Sequence, residues 1–175
     1  MELIFLDDLS TDEINSDFIN KYYKDWVLDL SFLFVSDFKS AKRLRDIIIV
    51  LFETLWLDSI WKSRFTLIAD ELNNNSIEYW SKYWELNCMK VFLRKDDDKV
   101  FINLEVEDTW NWSCSKTSKE MEDLRDKRLE KWFDNHDSIR WRWLFLIITK
   151  LVDELYFKDS DKGWLIVWIN KVITF

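Results

Sequence analysis

The sequence predicts a single α+β domain over residues 1–175, predominantly helical, with about five to seven helices and a small antiparallel sheet around a hairpin at 88–106. Three observations predict it. Apolar residues recur at helical spacing along most of the chain. Two runs, Met89-Val91-Leu93 and Val100-Ile102-Leu104-Val106, instead alternate around the polar loop Lys95-Asp96-Asp97-Asp98-Lys99, as a hairpin does. Finally, there is no proline and one glycine, Gly163, so helices lack their two chief interruptions.

The 175 residues are 48% hydrophobic and 33% charged, enough to build a core and too apolar for disorder. Residues 2–6 have the length of a short strand. Ser10-Thr11-Asp12-Glu13 has the form of a capping box and predicts a helix over about 11–24, with Ile14, Phe18, Ile19 and Tyr22 on one side. In 26–35 the even positions are apolar as in a strand, but Val27, Leu33 and Val35 break the alternation. Continuation of the helix is the preferred reading there.

Ser36-Asp37 caps a helix whose stripe is Phe38, Ala41, Leu44, Ile48, Leu51, Phe52 and Leu55. Asp58-Ser59 reads as either a cap or a kink, and Trp61, Phe65, Ile68 and Leu72 then make another stripe, which Asn73-Asn74-Asn75 is expected to break. Ile77, Trp80 and Trp84 then suggest a short helix. Beyond the hairpin, the alternation of Trp110, Trp112 and Cys114 suggests a third strand. Thr117-Ser118-Lys119-Glu120 is a second capping box, followed by a charged, one-sided helix. A long stripe from Trp141 to Leu155 predicts a buried helix. Residues 164–175 are apolar nearly throughout, and periodicity leaves strand and helix equally open.

The residues offer little chemistry. With one glycine, phosphate-binding glycine loops are excluded. His136 is the sole histidine and lies in Asp134-Asn135-His136-Asp137, a helix-ending turn rather than a triad member. Cys88, Cys114 and His136 are too far apart in sequence for a zinc motif. Asp96-Asp97-Asp98 lacks the glycine and distal glutamate of an EF-hand and reads as a solvated turn. Thus no catalytic residue, cofactor or metal is expected, and the protein is read as a non-enzyme.

Net charge is −8 and unevenly spread. Residues 1–40 carry nine acids against three bases, and residues 91–135 twelve against nine. Such a surface repels nucleic acid and anionic membranes and attracts basic partners. Arg140-Trp141-Arg142-Trp143 could stack bases, but the overall charge opposes phosphate. The first residues, with an acid at position 2 and a four-residue apolar run, do not look like a secretory leader. No run is long enough for a membrane helix. A cytoplasmic location is therefore expected. Twelve tryptophans are too many for core stripes alone, and the close-spaced pairs Trp56-Trp61, Trp80-Trp84, Trp110-Trp112 and Trp141-Trp143 predict that some are exposed.

In small size, acidity, scarcity of proline and glycine and absence of catalytic motifs, the chain resembles the immunity proteins that bacteria make against polymorphic or contact-delivered toxins. The likeness lies in general character and not in any motif. It implies a module that binds one toxin domain, often a basic nuclease, and blocks it by occluding its site. The candidate contacts are Asp96, Asp97 and Asp98, with Trp110 and Trp112 as anchors on the adjoining strand. A second acidic patch comprises Asp7, Asp8, Asp12, Glu13 and Asp17. The alternatives are a phage- or host-encoded adaptor or inhibitor of another protein and, after that, an uncharacterised enzyme or nucleic-acid binder.

Overall fold

The hairpin forms where the alternation predicts it, but it is the middle of something larger. In the computed structural model, which describes residues 2–77, 85–108, 117–130, 150–162 and 164–175, strands β3 (Leu86–Asp96) and β4 (Lys99–Glu107) pair with Asp97-Asp98 as a two-residue turn. Outside them lie β1 (Glu2–Phe5), β2 (Val27–Val35), β5 (Glu154–Asp159) and β6 (Leu165–Thr174), in the order β1-β2-β3-β4-β6-β5. Only β1 and β2 pair in parallel; the other neighbours are antiparallel.

The helices among the described residues are α1 (Ser16–Tyr22), α2 (Phe38–Thr54), α3 (Ser59–Asn75) and α4 (Ser118–Glu130). The expected chain of five to seven helices with a small sheet is thus corrected to four α-helices among the described residues and one six-stranded mixed sheet. Two segments account for most of the difference. Residues 26–35, read as a continuing helix, contain β2, and 164–175, left open between strand and helix, contain β6. Both are central strands, and a central strand with apolar side chains on both faces loses its alternation. Leu155, placed at the end of a long helix, belongs to β5.

One face of the sheet carries the core. Leu30, Val91, Leu104, Ile169 and Leu155 form a row across five strands, and Phe32, Met89, Val106, Val167 and Phe157 form the next. All of these are buried, and they share one core with Leu44, Ile48, Leu51 and Phe52 of α2 and Phe65, Ile68 and Leu72 of α3. The antiparallel pair α2–α3 is tied by Arg45, whose Nε donates to Asp70 Oδ1 and Oδ2 at 2.7 and 2.6 Å.

Caps were legible in the sequence, with one shift. Asp37 accepts from Ser40 N at 2.7 Å, and Asp58 from Ile60 N at 2.6 Å. The Ser10–Glu13 box is present, but it closes only a single turn at Thr11–Glu13; α1 starts at Ser16 with Asn15 as its cap. The asparagine triplet does not break α3. Its residues form the last turn, where Asn75 Nδ2 donates back to the Glu71 carbonyl. The helix expected over 76–87 and the Trp141 stripe lie largely outside the described residues, and the third strand at 110–114 lies wholly outside them. No helix among the described residues is long and apolar enough to cross a membrane.

Candidate functional site

Strand directions gather several loops at one end of the sheet. β2 begins there, β3 turns into β4 there, and β6 ends there, since Val27 pairs with Arg94 and Lys99 with Thr174. Helix α2 runs back from the far end of β2, so the α2–α3 corner arrives at the same end. This turn end holds the three most exposed large apolar residues of those described: Trp56 at 91%, Trp26 at 63% and Phe175 at 62%.

Trp26 enters from a two-residue bend. Lys24 N donates to Val27 O at 2.9 Å, and Val27 N to Lys24 O at 2.8 Å. Between them Asp25 (φ 50°) and Trp26 (φ 64°) are both left-handed. Such tight bends need positive φ at both central positions, which asparagine and glycine supply most easily. Here the sequence puts aspartate and tryptophan instead. The bend is fixed to the hairpin, because Lys95 N donates to Trp26 O at 2.9 Å. Tyr23 meets the Trp26 ring edge-on at 6.4 Å.

Lys95 sits between two aromatic rings, its Nζ 5.6 Å from the Trp26 centroid and 5.9 Å from that of Phe175. Phe175 is anchored by its N–H to Asp98 O at 2.9 Å. Trp26, Lys95, Asp96 and Asp97 line a hollow of about 590 Å³. Asp96 pairs with Arg94 at 3.2 Å. All three aspartates, Asp96, Asp97 and Asp98, are exposed.

Trp56 closes the α2–α3 corner. Leu57 N donates to Phe52 O at 3.1 Å and Trp56 N to Glu53 O at 3.2 Å, the bond pair that ends a helix on a left-handed residue. That residue is usually glycine, but here it is Trp56, with φ 54°. Leu57 tucks under, 8% exposed, in the same core as Phe52. Trp56 walls a second hollow, of about 610 Å³, opposite Ile14, Asn15 and Asn20.

The first expected patch is therefore partly assembled: Asp96, Asp97 and Asp98 are together and exposed, but the aromatic beside them is Trp26. Trp110 and Trp112 lie outside the described residues. The second patch is divided among local duties. Asp7 faces Arg43 at 3.5 Å. Asp8 is exposed in the single turn Leu6–Asp8, as is Asp12 in the next. The Ser10 backbone N–H and side chain hold the Glu13 carboxyl below the usual carboxylate range. Asp17 is in the first turn of α1. Trp26, Trp56 and Phe175 were not foreseen as a group, although Trp56 belongs to one of the pairs expected to be partly exposed.

The opposite end of the sheet is built the other way. Asn73, Ser76, Asn87 and Asp108 are fully buried and Asn75 nearly so. Asn73 Nδ2 donates to Met89 Sδ at 3.4 Å, Asn87 Nδ2 to Ser76 Oγ at 3.4 Å, and Leu165 N to Asp108 Oδ1 at 3.3 Å. These bonds tie the last turn of α3 to β3, and the end of β4 to β6. Cys88 is a free thiol on β3. Burial pushes it up to about 11, so at neutral pH it is a packing group and not a nucleophile. Among the described residues, no three His, Cys, Asp or Glu side chains gather as a metal site would require. No family model matches the chain, and no curated protein sequence matches it.

Proposed function

We propose that the protein is a cytoplasmic binding module that neutralises a basic protein partner, as an immunity protein does a toxin, by covering the partner's site with its turn end. One observation carries this reading: Trp26 is largely exposed, held in a left-handed conformation, and set beside Asp96 and Asp97 of a run of three exposed aspartates. Exposing a large ring forgoes burial worth roughly 1.5–3 kcal/mol. A left-handed non-glycine residue costs on the order of 1–3 kcal/mol more. Buried aromatic anchors supply most of the energy in protein interfaces, so a partner that covers Trp26 returns that cost. Aspartates beside it steer cationic surfaces in, and a partner lysine or arginine entering the hollow would face both carboxylates and a ring.

The test is capture from the native host on immobilised protein, with Trp26→Ala and Asp97→Lys/Asp98→Lys variants alongside. A basic protein held at low salt, weakened at moderate salt, lost on Trp26→Ala and captured less by the Asp97→Lys/Asp98→Lys variant at low salt is the expected result. Equal capture by all three proteins, or capture of nothing at either salt, overturns the reading.

A second reading rests on the opposite end. Asn73 Oδ1 is buried without a hydrogen-bond partner, inside a cluster of buried polar side chains. A small polar ligand donating to it would satisfy that oxygen. Thermal-shift screening of small polar metabolites tests this, with loss of any shift in Asn73→Ala expected and no shift for any compound counting against it.

A further inference from the structure

From the face of the sheet turned away from the core, we infer that two copies of the chain associate back to back, with the turn end of each left free. A sheet face that meets water normally alternates to polar residues. This one does not. Leu3 and Phe5 of β1, Leu86 and Phe92 of β3, Tyr156 of β5 and Val172 of β6 point outward from it, each 36–55% exposed.

The polar groups on the face are largely paired with one another. Lys90 on β3 pairs with Glu105, its cross-strand neighbour on β4. Asn103 Nδ2 donates to Asn170 Oδ1 at 2.7 Å, and Asn170 Nδ2 to Glu154 Oε2 at 2.9 Å, a relay across β4, β6 and β5. The Arg94 guanidinium lies 4.5 Å from the Phe101 centroid. Groups already hydrogen-bonded within the monomer need no new partner when water leaves, so covering them costs less than covering unpaired ones.

Charge and size select a second copy as the occupant. The chain carries −8, but the ions on this face nearly balance: Lys90, Arg94 and Lys158 against Asp29, Glu105, Glu107 and Glu154. A strongly basic partner would find little field here, whereas a copy would meet little repulsion from the face itself. Six strands about 4.8 Å apart and roughly 25 Å long present some 600 Å², near the ~800 Å² per partner of a standard interface. A two-fold pairing uses the same patch on both copies, which a neutral face of mixed sign permits.

The experiment is sedimentation equilibrium of the whole chain from about 1 to 100 μM, with Phe92→Glu and, separately, Val172→Arg. Wild-type protein is expected at twice the 21.6 kDa chain mass. Each variant is expected to fall to the single-chain mass with an unchanged circular-dichroism spectrum. Either variant suffices should the other not fold. A wild-type mass of one chain at 100 μM overturns the inference, as does a dimer that survives in a folded variant, because its copies must then meet elsewhere.

Discussion

The two ends of the sheet break the same rule in opposite directions. At the turn end, large apolar rings stand in solvent on left-handed backbone at Trp26 and Trp56. At the far end, amides, a hydroxyl and a carboxylate are packed away from solvent at Asn73, Asn75, Ser76, Asn87 and Asp108. Either arrangement lowers stability relative to the usual pattern, yet by different routes. The buried cluster recovers part of its cost within the molecule, through bonds that join α3 to β3 and β4 to β6, while Asn73 Oδ1 accepts none. The exposed rings recover little of theirs internally, apart from the Lys95 and Tyr23 contacts to Trp26. Departures of the first kind hold a fold together, and departures of the second kind point outward to a partner.

That contrast can be broken by substitution. The largest effect is expected from Trp26→Ala on partner binding: a loss of about 2–4 kcal/mol, roughly 30- to 1,000-fold in Kd, as for an interface anchor. Titration calorimetry with the captured partner would measure it, and a loss under threefold would remove Trp26 from the interface. Next comes Asn73→Ala, which removes the Nδ2 bond to Met89 and leaves a void in a fully buried site. Urea unfolding should show roughly 1–3 kcal/mol of destabilisation. The far end would then be holding the fold as described; an unchanged midpoint would mean it is not.

At the turn end the sign should reverse. Trp56→Gly removes the left-handed penalty at a residue that buries almost nothing, so the urea midpoint should rise, by about 1 kcal/mol in stability. A lowered midpoint would show that Trp56 packs in a way its 91% exposure does not suggest. The smallest effect belongs to Asp97→Lys/Asp98→Lys. Exposed charges act mainly on encounter, so the association rate should fall about tenfold at low salt and converge with wild type at high salt in stopped-flow mixing.

Parts of this were legible in the chain and parts were not. The β3–β4 hairpin, α2, α3 and the caps at Asp37 and Asp58 rest on short-range patterns, and those patterns carry over directly. Strand β2 was missed, and β6 left open between strand and helix, because Val27, Leu33 and Val35, or the apolar run from Leu165, erase the period that marks a strand. What makes them strands is pairing with β3 and β4, which is non-local. For the site, Asp96, Asp97 and Asp98 could be read as an exposed turn. The left-handed corners could not, because the usual marker of such corners is glycine, and the one glycine of the chain lies elsewhere. Among the acids at positions 7–17, Asp7 pairs with Arg43 and Glu13 closes a capping turn, roles that a charge run does not reveal, while Asp8 and Asp12 are exposed.

The strand order also has a kinetic consequence. β3 and β4 form locally, across two residues, but β2 and β6 can add to that hairpin only by closing long stretches of chain. Loop closure of that length is slow compared with hairpin formation, so refolding should pass through an early β3–β4 nucleus and be limited by docking of its two neighbours. Because no proline is present, no isomerisation phase of tens of seconds should trail behind.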